Sequence, residues 1–327
     1  MTGRSSDPLV AARSGERWVV RYWLPDGSAT DVIGWIVGLH PTSIQLATLD
    51  PAARVIERSM IIAARRAPAA AGGPHPRRIS AHDVQRHALP GWLAWHEPLG
   101  EWTLRRAGGF TRRANSCHAV GDPGMPIQQA AQRIIGFAAG YDIAPLAQVI
   151  EGSSEENALQ RLGWVSTDQP TAVVTSRLAD FLDGRPAAPA AKITEVLRPN
   201  WEEAYHRSRP NSADPAIVRM ILEGNPPRAF AAVAGQGRGD HSELIAIARG
   251  HRYQDWLGLA SIWTRSDQRR RGLATAMMVA LGHWAARQGA RYAYVQVANV
   301  NELGIAAYRS LGFSHHHAYR YLAAPAR

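Results

Sequence analysis

The chain of 327 residues holds one cysteine, Cys117, one lysine, Lys192, and no long apolar run. A single cysteine excludes an internal disulfide, so nothing in the sequence demands an oxidising compartment. No stretch approaches the roughly eighteen apolar residues of a membrane span. The opening "MTGRSSDPLVAARSGERW" has no apolar core of the kind that marks a secretion signal. These absences predict a cytoplasmic protein without membrane contact. Because lysine is so scarce, the 37 basic residues are almost all arginine. With abundant Ala and Gly, that choice is the bias of a GC-rich genome and says little about function.

Where the charge lies says more. From Ala188 to Arg327, 18 basic residues face 10 acidic ones, so this part carries most of the formal +10. Such a field favours anionic ligands: nucleotide-like cofactors, acidic proteins or nucleic acid. Hydrophobic residues at 46% and charged residues at 20% describe an ordinary globular protein, and the length predicts about two or three domains.

The first sixty-odd residues read as short strands, "RWVVRYWL", "TDVIGWIVGL", "SIQLAT", "RVIERS" and "MIIAARR", broken by turn residues such as Pro25-Asp26-Gly27. The pattern predicts a small all-β barrel or sandwich over residues 1–66. Pro and Gly crowd the next stretch, giving a linker at 67–78. Ser80-Ala-His-Asp83 reads as a helix start. A mixed segment, 79–185, ends at "RPAAPAA", and 186–327 alternates strand and helix signals.

The last two segments share an internal repeat. In the first, helix-like "PIQQAAQRIIGFAAG", strand-like "LAQVI" and helix-like "ENALQRLGW" follow one another. In the second, "GLATAMMVALGHWAARQG", "YAYVQV" and "AAYRSLGF" do the same. Gly124 to Gly163 and Gly272 to Gly312 span nearly the same length.

Three arginines and a glycine, Arg269-Arg270-Arg271-Gly272, stand between a strand pattern, "LGLASIWT", and a helix whose Leu273, Met277, Ala280, Leu281 and Trp284 fall on one face. A strand, a glycine turn and a helix start gather free backbone N–H groups around one small space. The helix dipole and the arginines add positive charge, which makes an anion site.

This arrangement resembles the acetyl-CoA signature of the GNAT superfamily of N-acetyltransferases: Arg or Gln, two free positions, Gly, one free position, then Gly or Ala. A second block, "NVNELGIAAYRSLGF", is similar to the superfamily's asparagine-to-tyrosine helix and Leu-Gly-Phe turn. The resemblance covers about 192–322 well. The middle segment resembles the same fold more weakly: no arginines precede Gly124, and Leu159 stands where the later copy has Tyr308. The implied fold is α/β (α+β), a GNAT-type mixed sheet with flanking helices, preceded by a degenerate GNAT-like half that holds no cofactor and by a small SH3-like barrel. The three-part layout resembles the mycobacterial histone-acetyltransferase group.

The resemblance implies acetyl-CoA as donor, with no metal, and direct attack by a primary amine, a protein lysine as in a histone-type acetyltransferase, with a small-molecule amine as the alternative acceptor. The backbone of Ile262, Trp263 and Thr264 would pair with the pantetheine arm. Arg269, Arg270, Arg271, Gly272, Leu273, Ala274 and Thr275 would hold the pyrophosphate. Asn301 would contact the cofactor or merely cap its helix. Tyr308 would be the general acid, since a phenol of pKa about 10 is protonated at neutral pH and can donate to a leaving thiolate.

No base stands out. The glutamate found on the preceding strand in protein-lysine members falls here at Gly258, which leaves a water chain, Asp255, or Glu202 or Glu203. A reading of another class is a nucleic-acid or partner-binding protein that uses the basic surface and senses acetyl-CoA. "GQGRG" at 235–239 reads as a turn. His315, His316 and His317 would alternate faces of a strand. Cys117 lacks a catalytic partner, and Trp92, Trp95 and Trp102 would fill the core of the middle segment.

Overall fold

The computed structural model describes residues 8–10, 12, 17–48, 54–67, 73–188, 190–209, 213–235 and 243–326. The expected turn at 235–239 lies outside them from residue 236 onward. By backbone proximity the chain divides into two compact units, 1–73 with 283–291, and 74–282 with 292–327.

In the first unit, strands β1 (Arg17–Trp23), β2 (Ala29–Leu39), β3 (Ser43–Ala47), β4 (Arg54–Glu57) and β5 (Ile61–Arg66) form one sheet. Its order is β4-β3-β2-β1-β5, antiparallel throughout. Gly27 at φ 82 closes the first hairpin, where the Asp26 carboxylate accepts from the Ser28 N–H at 2.9 Å. Trp18, Val20, Ile36, Ile44, Leu46 and Ile56 form its core. The expected all-β module is therefore a five-stranded antiparallel sheet.

The second unit begins with α1 (Ala81–Ala88), capped by Ser80, whose hydroxyl accepts from the Asp83 N–H. Strands β6 (Trp95–Leu99), β7 (Trp102–Arg106) and β8 (Cys117–His118) follow. Then come α2 (Ile127–Gly140), β9 (Leu146–Ile150), α3 (Ser154–Arg161), β10 (Val165–Ser166), β11 (Thr171–Arg177) and α4 (Leu178–Leu182). The later part runs β12 (Lys192–Thr194), α5 (Pro199–Ser208), α6 (Pro215–Glu223), β13 (Arg228–Ala234), β14 (Leu244–Tyr253) and β15 (Trp256–Thr264). It ends with α7 (Leu273–Arg287), whose residues 283–287 count with the first unit, β16 (Tyr292–Ala298), α8 (Glu302–Ser310) and β17 (Ser314–Ala323).

All these strands join one mixed sheet in the order β12-β13-β14-β15-β16-β11-β17-β9-β8-β7-β6, with β10 beside β17. Strand β11 belongs in sequence to the middle segment but lies between β16 and β17, paired antiparallel to both. Strand β17, from the end of the chain, pairs in turn with β9. The two segments separated in sequence near residue 185 thus exchange strands and share hydrogen-bond ladders.

The repeat appears in detail. Both α3 and α8 end in the same Schellman turn: Trp164 N–H donates to Leu159 C=O and Gly163 N–H to Gln160 C=O. Phe313 N–H likewise donates to Tyr308 C=O and Gly312 N–H to Arg309 C=O. Gly163 (φ 81) and Gly312 (φ 90) supply the left-handed residue each turn requires.

Helix α6 buries Val218, Ile221 and Leu222 in a core with Trp201, Tyr205 and Phe230. Full burial of each such aliphatic side chain contributes about 1.5–3 kcal/mol. Helix α7 is buried on more than the single face expected: Met277, Met278, Val279, Ala280 and Leu281 are all inside. Leu281 packs against Gly250 of β14, while Gly282 lies against Phe181 and Leu182 of α4. Of the three tryptophans expected in the middle core, Trp102 is there, but Trp95 is 44% exposed beneath the Arg106 guanidinium.

Candidate active site

Strands β15 and β16 run parallel and in register from Trp256/Tyr292 to Leu259/Val295, and there they part. Beyond Leu259 only β14 accompanies β15, so the other edge of Ile262, Trp263 and Thr264 faces no strand of the sheet. The parting coincides with a bulge. Ala260 pairs with Arg249 and Trp263 with Ile247, so Ser261 and Ile262 together oppose Ala248 alone. Ser261 takes a left-handed φ of 52 to accommodate the extra residue. A bulge leaves its extra residue unpaired and disrupts the ladder locally.

Past Thr264 the chain makes one short turn and reaches the arginine stretch. Arg265 is committed to Asp267 by two hydrogen bonds of 2.7 and 2.8 Å and to Glu243 by one of 2.8 Å. That pairing holds the Asp267 carboxyl down to about 2, so it is an anion whose charge is already matched. Arg269 is extended and donates to Thr264 C=O, and Arg271 donates to the Gln268 side chain. Arg270, exposed, makes no hydrogen bond to the described residues.

Arg270 (φ 62) and Gly272 (φ 74) are both left-handed, separated by one residue. Alternating hand over successive residues folds backbone N–H groups into a concave nest. The first turn of α7 follows at once, adding amides from Leu273, Ala274 and Thr275 that lack intrahelical acceptors. A Cβ placed on Gly272 would meet nothing within 4 Å, so open space faces the nest. This arrangement can hold an oxyanion of the diphosphate kind.

Tyr308 is half-buried on α8, edge-on to Phe313 at 6.3 Å between centroids. Burial raises its phenol above the ordinary value, so it stays protonated at neutral pH. Asn301 is a helix cap: its side-chain oxygen accepts from Gly304 N–H at 3.0 Å.

At the floor of the fork lies a cavity of about 160 Å³. Leu259, Ala260 and Ser261 of β15 and Tyr294 and Gln296 of β16 line it, together with Arg249 and His251 of β14. The middle segment contributes Trp92 and Arg113, and Arg209 reaches it from the end of α5. Arg249 is 1% exposed; it donates to Leu222 C=O at 2.9 Å and Gly91 C=O at 3.0 Å, and its Nη2 has no partner. His251 Nδ1 and Ser261 Oγ are also buried and without partners. Burial pushes the His251 imidazole down to about 3, so it is neutral at physiological pH.

Gly258 faces Tyr294 in register. A Cβ on Gly258 would sit 2.2 Å from Tyr294 Oη and 2.5 Å from its Cζ. The phenol thus fills the space a side chain at this position would need. Burial lifts it to about 12, which makes it a donor and not a base. Asp255, Glu202 and Glu203 do not line the cavity, and Glu202 is paired with Arg219 at 2.6 Å. Among the described residues no carboxylate lines it at all. Sequence reading missed Arg113, Arg249 and His251, and it placed Trp92 in the core of the middle segment, whereas Trp92 packs with Trp201, Tyr205 and Phe230 of the later one. What joins the four, contact with one cavity, emerges only from the fold.

The first half shows the same plan with its sites filled from within. Gly124 (φ 70) corresponds to Gly272, but its N–H donates to the Asp122 carboxylate at 2.8 Å. Asp122 N–H donates to Glu101 at 2.7 Å and Gly121 N–H to Glu155 at 2.8 Å. The buried Arg105 spends its donors on Ser116 and on Gln148, whose amide in turn donates to Gln85. The Cys117 thiol, pushed up to about 12 by burial, is not a nucleophile.

The histidine run does not simply alternate. Val173 pairs with His317 and Val174 with His315, so His316 is an inserted residue and its ring meets that of His317 at 4.9 Å. Among the described residues no group of three or more His, Cys, Asp or Glu is placed to hold a metal ion, and no helix is long and apolar enough to cross a membrane.

Fork, bulge, nest and duplicated plan together define the class of fold, that of the GNAT type. The chain belongs to the family described as probable histone acetyltransferase Rv0428c, C-terminal, whose model matches residues 84–322. No curated protein matches the sequence. Among solved structures, the chain is similar to a GCN5-related N-acetyltransferase from Kribbella flavida, with 15% identity, a TM-score of 0.52, and coverage of 76% of this chain and 96% of that one. A functionally unknown conserved protein from Staphylococcus epidermidis ATCC 12228 gives 9% identity, a TM-score of 0.50, and coverage of 76% and 99%. A tandem GNAT protein from the clavulanic acid biosynthesis pathway gives 13%, 0.49, and coverage of 65% and 76%. At such identities the likeness concerns the fold alone.

Proposed function

We propose that the protein transfers the acetyl group of acetyl-CoA to a primary amine by direct attack. The observation that carries this reading is the amide nest of 269–272 at the head of α7, placed where the free limb of β15 ends. The diphosphate would lie against the nest, with Arg269, Arg270 and Arg271 beside it and the amides of Leu273, Ala274 and Thr275 behind. The pantetheine arm would lie along Ile262, Trp263 and Thr264. The thioester would then reach the bulge at Ser261, where N–H groups released from the ladder would suit a developing oxyanion. Asn301 would act through its capping of α8 and not as a ligand.

In the reaction the amine nitrogen bonds to the thioester carbon, the C–S bond breaks, and the products are an amide and the thiol of CoA. Tyr308 would give its proton to the departing sulfur, and the proton lost by the attacking nitrogen would return through solvent to the phenolate, so that the two transfers balance. The amine must arrive unprotonated. A lysine is neutral in only about one molecule in 2,500 at pH 7, a cost of about 4.6 kcal/mol. With no carboxylate in the cavity, the positive field of its arginines would lower the amine's own pKa and so favour the nucleophilic form.

The first half, its amides already bonded to carboxylates, would shape the cleft without holding a donor. The family description favours a protein lysine as acceptor; the arginine-lined cavity favours a small amine. Release of CoA thiol on mixing acetyl-CoA with histone peptides and with small amines, read with product mass, tests both. A protein that releases no thiol with any amine would contradict acetyl transfer.

A further inference from the structure

Three arginines and no carboxylate line the cavity at the foot of the fork among the described residues. Among the described residues, Arg249, His251 and Ser261 each leave a buried polar atom without a partner, and all three line this one space. Nη2 of Arg249 and Oγ of Ser261 are donors, and leaving such a donor unpaired costs about 1–3 kcal/mol, more for a charged group, which a bound anion would relieve; the neutral His251 ring bonds the Asn225 backbone, so its Nδ1 is a lone pair and not a donor. Arg105 in the first half shows the alternative, since its donors are spent on Ser116 and Gln148. Arg249 is held in place by two backbone carbonyls, which fix the guanidinium and leave Nη2 free.

Arg113 adds a second fixed charge: Tyr319 Oη accepts from its Nη2 at 2.7 Å, and the guanidinium stacks on Trp92 at 4.6 Å. Arg209 adds a third at the exposed end of α5, over the Tyr205 ring at 4.8 Å. Three guanidinium groups with no opposing carboxylate repel a polyamine or a lysine-rich peptide.

We propose that the amine acceptor carries a compact oxyanion, a carboxylate or a phosphate, which binds in this cavity against Arg249 with Arg113 and Arg209 beside it. This rests on the acetyl-transfer reading and narrows its acceptor to a small anionic amine. At about 160 Å³ the space suits a group of a few heavy atoms, well below the roughly 300–1,000 Å³ of a drug-sized site. The oxyanion would satisfy Nη2 of Arg249, accept from Ser261 Oγ, and leave the amine pointing along the fork toward the thioester.

The full-length protein, first saturated with coenzyme A so that the 269–275 loop is filled, is titrated calorimetrically with inorganic phosphate and with glutarate. Saturable binding of at least one probe is expected. It should weaken about tenfold or more in Arg249→Gln. It should weaken to a smaller degree in Arg209→Gln, whose exposed side chain can be lost without harm to the fold. Binding of neither probe, or binding unchanged in both variants, overturns the proposal. Failure of coenzyme A itself to bind would instead strike the acetyl-transfer reading.

Turnover then places the oxyanion. With acetyl-CoA, phosphoethanolamine and free amino acids should exceed ethanolamine and the amino acid amides in kcat/KM by about 10²-fold, and Arg249→Gln should erase most of that ratio. Equal or better turnover of the neutral twins or of spermidine overturns it. So does a preference for succinyl-CoA over acetyl-CoA, which would put the oxyanion on the donor.

Discussion

Replacing Gly258 by alanine should destabilise the protein, against the usual sign of that change in a strand. Alanine normally gains about 0.5–1 kcal/mol over glycine by lowering backbone freedom. Here the new methyl would lie 2.2 Å from Tyr294 Oη and 2.5 Å from Cζ, inside van der Waals contact. Tyr294 is 4% exposed and in register with Gly258, so its ring must leave its packed position, toward the cavity it lines, for the methyl to fit. Overpacking of this kind costs about 1–3 kcal/mol, which outweighs the backbone gain. Urea unfolding of the full chain would show a lower midpoint at unchanged m. Tyr294→Leu, destabilising by itself, removes the obstructing ring, so the two changes combined should cost less than their sum by about 1 kcal/mol or more. A stabilised Gly258→Ala variant, or strict additivity with Tyr294→Leu, would refute the claim that the phenol fills the place of a base.

Tyr308→Phe should leave coenzyme A affinity unchanged and slow turnover about 10²-fold, as measured by thiol release; an unaltered rate removes the phenol from the reaction. His251 and His317 are both buried neutral, each pushed to about 3 from an ordinary 6.5. Between those values the unfolded chain binds the extra protons. Each histidine therefore costs about 1.4 kcal/mol of stability per unit as pH falls from 6.5 toward 3, and none above. Urea midpoints from pH 7.5 to 5 should decline below 6.5, and less steeply in His251→Gln. A fragment of 187–327 lacks β11 and leaves β16 and β17 unpaired between them. It should fail to give a folded far-UV spectrum alone and recover when co-expressed with the preceding segment; a folded, active fragment would show the strand exchange to be dispensable.

Much of this architecture is legible in the sequence because it rests on local rules. "LGLASIWT" alternates as a strand, "GLATAMM" begins a helix after a glycine, and Gly163 and Gly312 mark helix ends that only a left-handed residue permits. The capping of α1 by Ser80 is equally local. What stays hidden is set by distance along the chain. Nothing around Thr171–Arg177 announces that β11 will lie between two strands more than a hundred residues later. Nor does any motif join Arg113 to Arg249, which meet only because the turn at Gly91 and Trp92 closes over β14. The glycine at 258 reads as a missing glutamate in sequence; only the register with Tyr294 gives it a positive reason. His316 escapes the expected alternation because a bulge is invisible to a period of two.

The central claim is that the left-handed Arg270–Gly272 stretch and the head of α7 receive a diphosphate. Titration of the full chain with coenzyme A in a calorimeter tests it most directly. A saturable one-to-one isotherm is expected, weakened about a hundredfold or more in Gly272→Glu, where a carboxylate enters the nest, and retained in Tyr308→Phe. No binding by the folded wild-type chain, or equal affinity in Gly272→Glu, would contradict it.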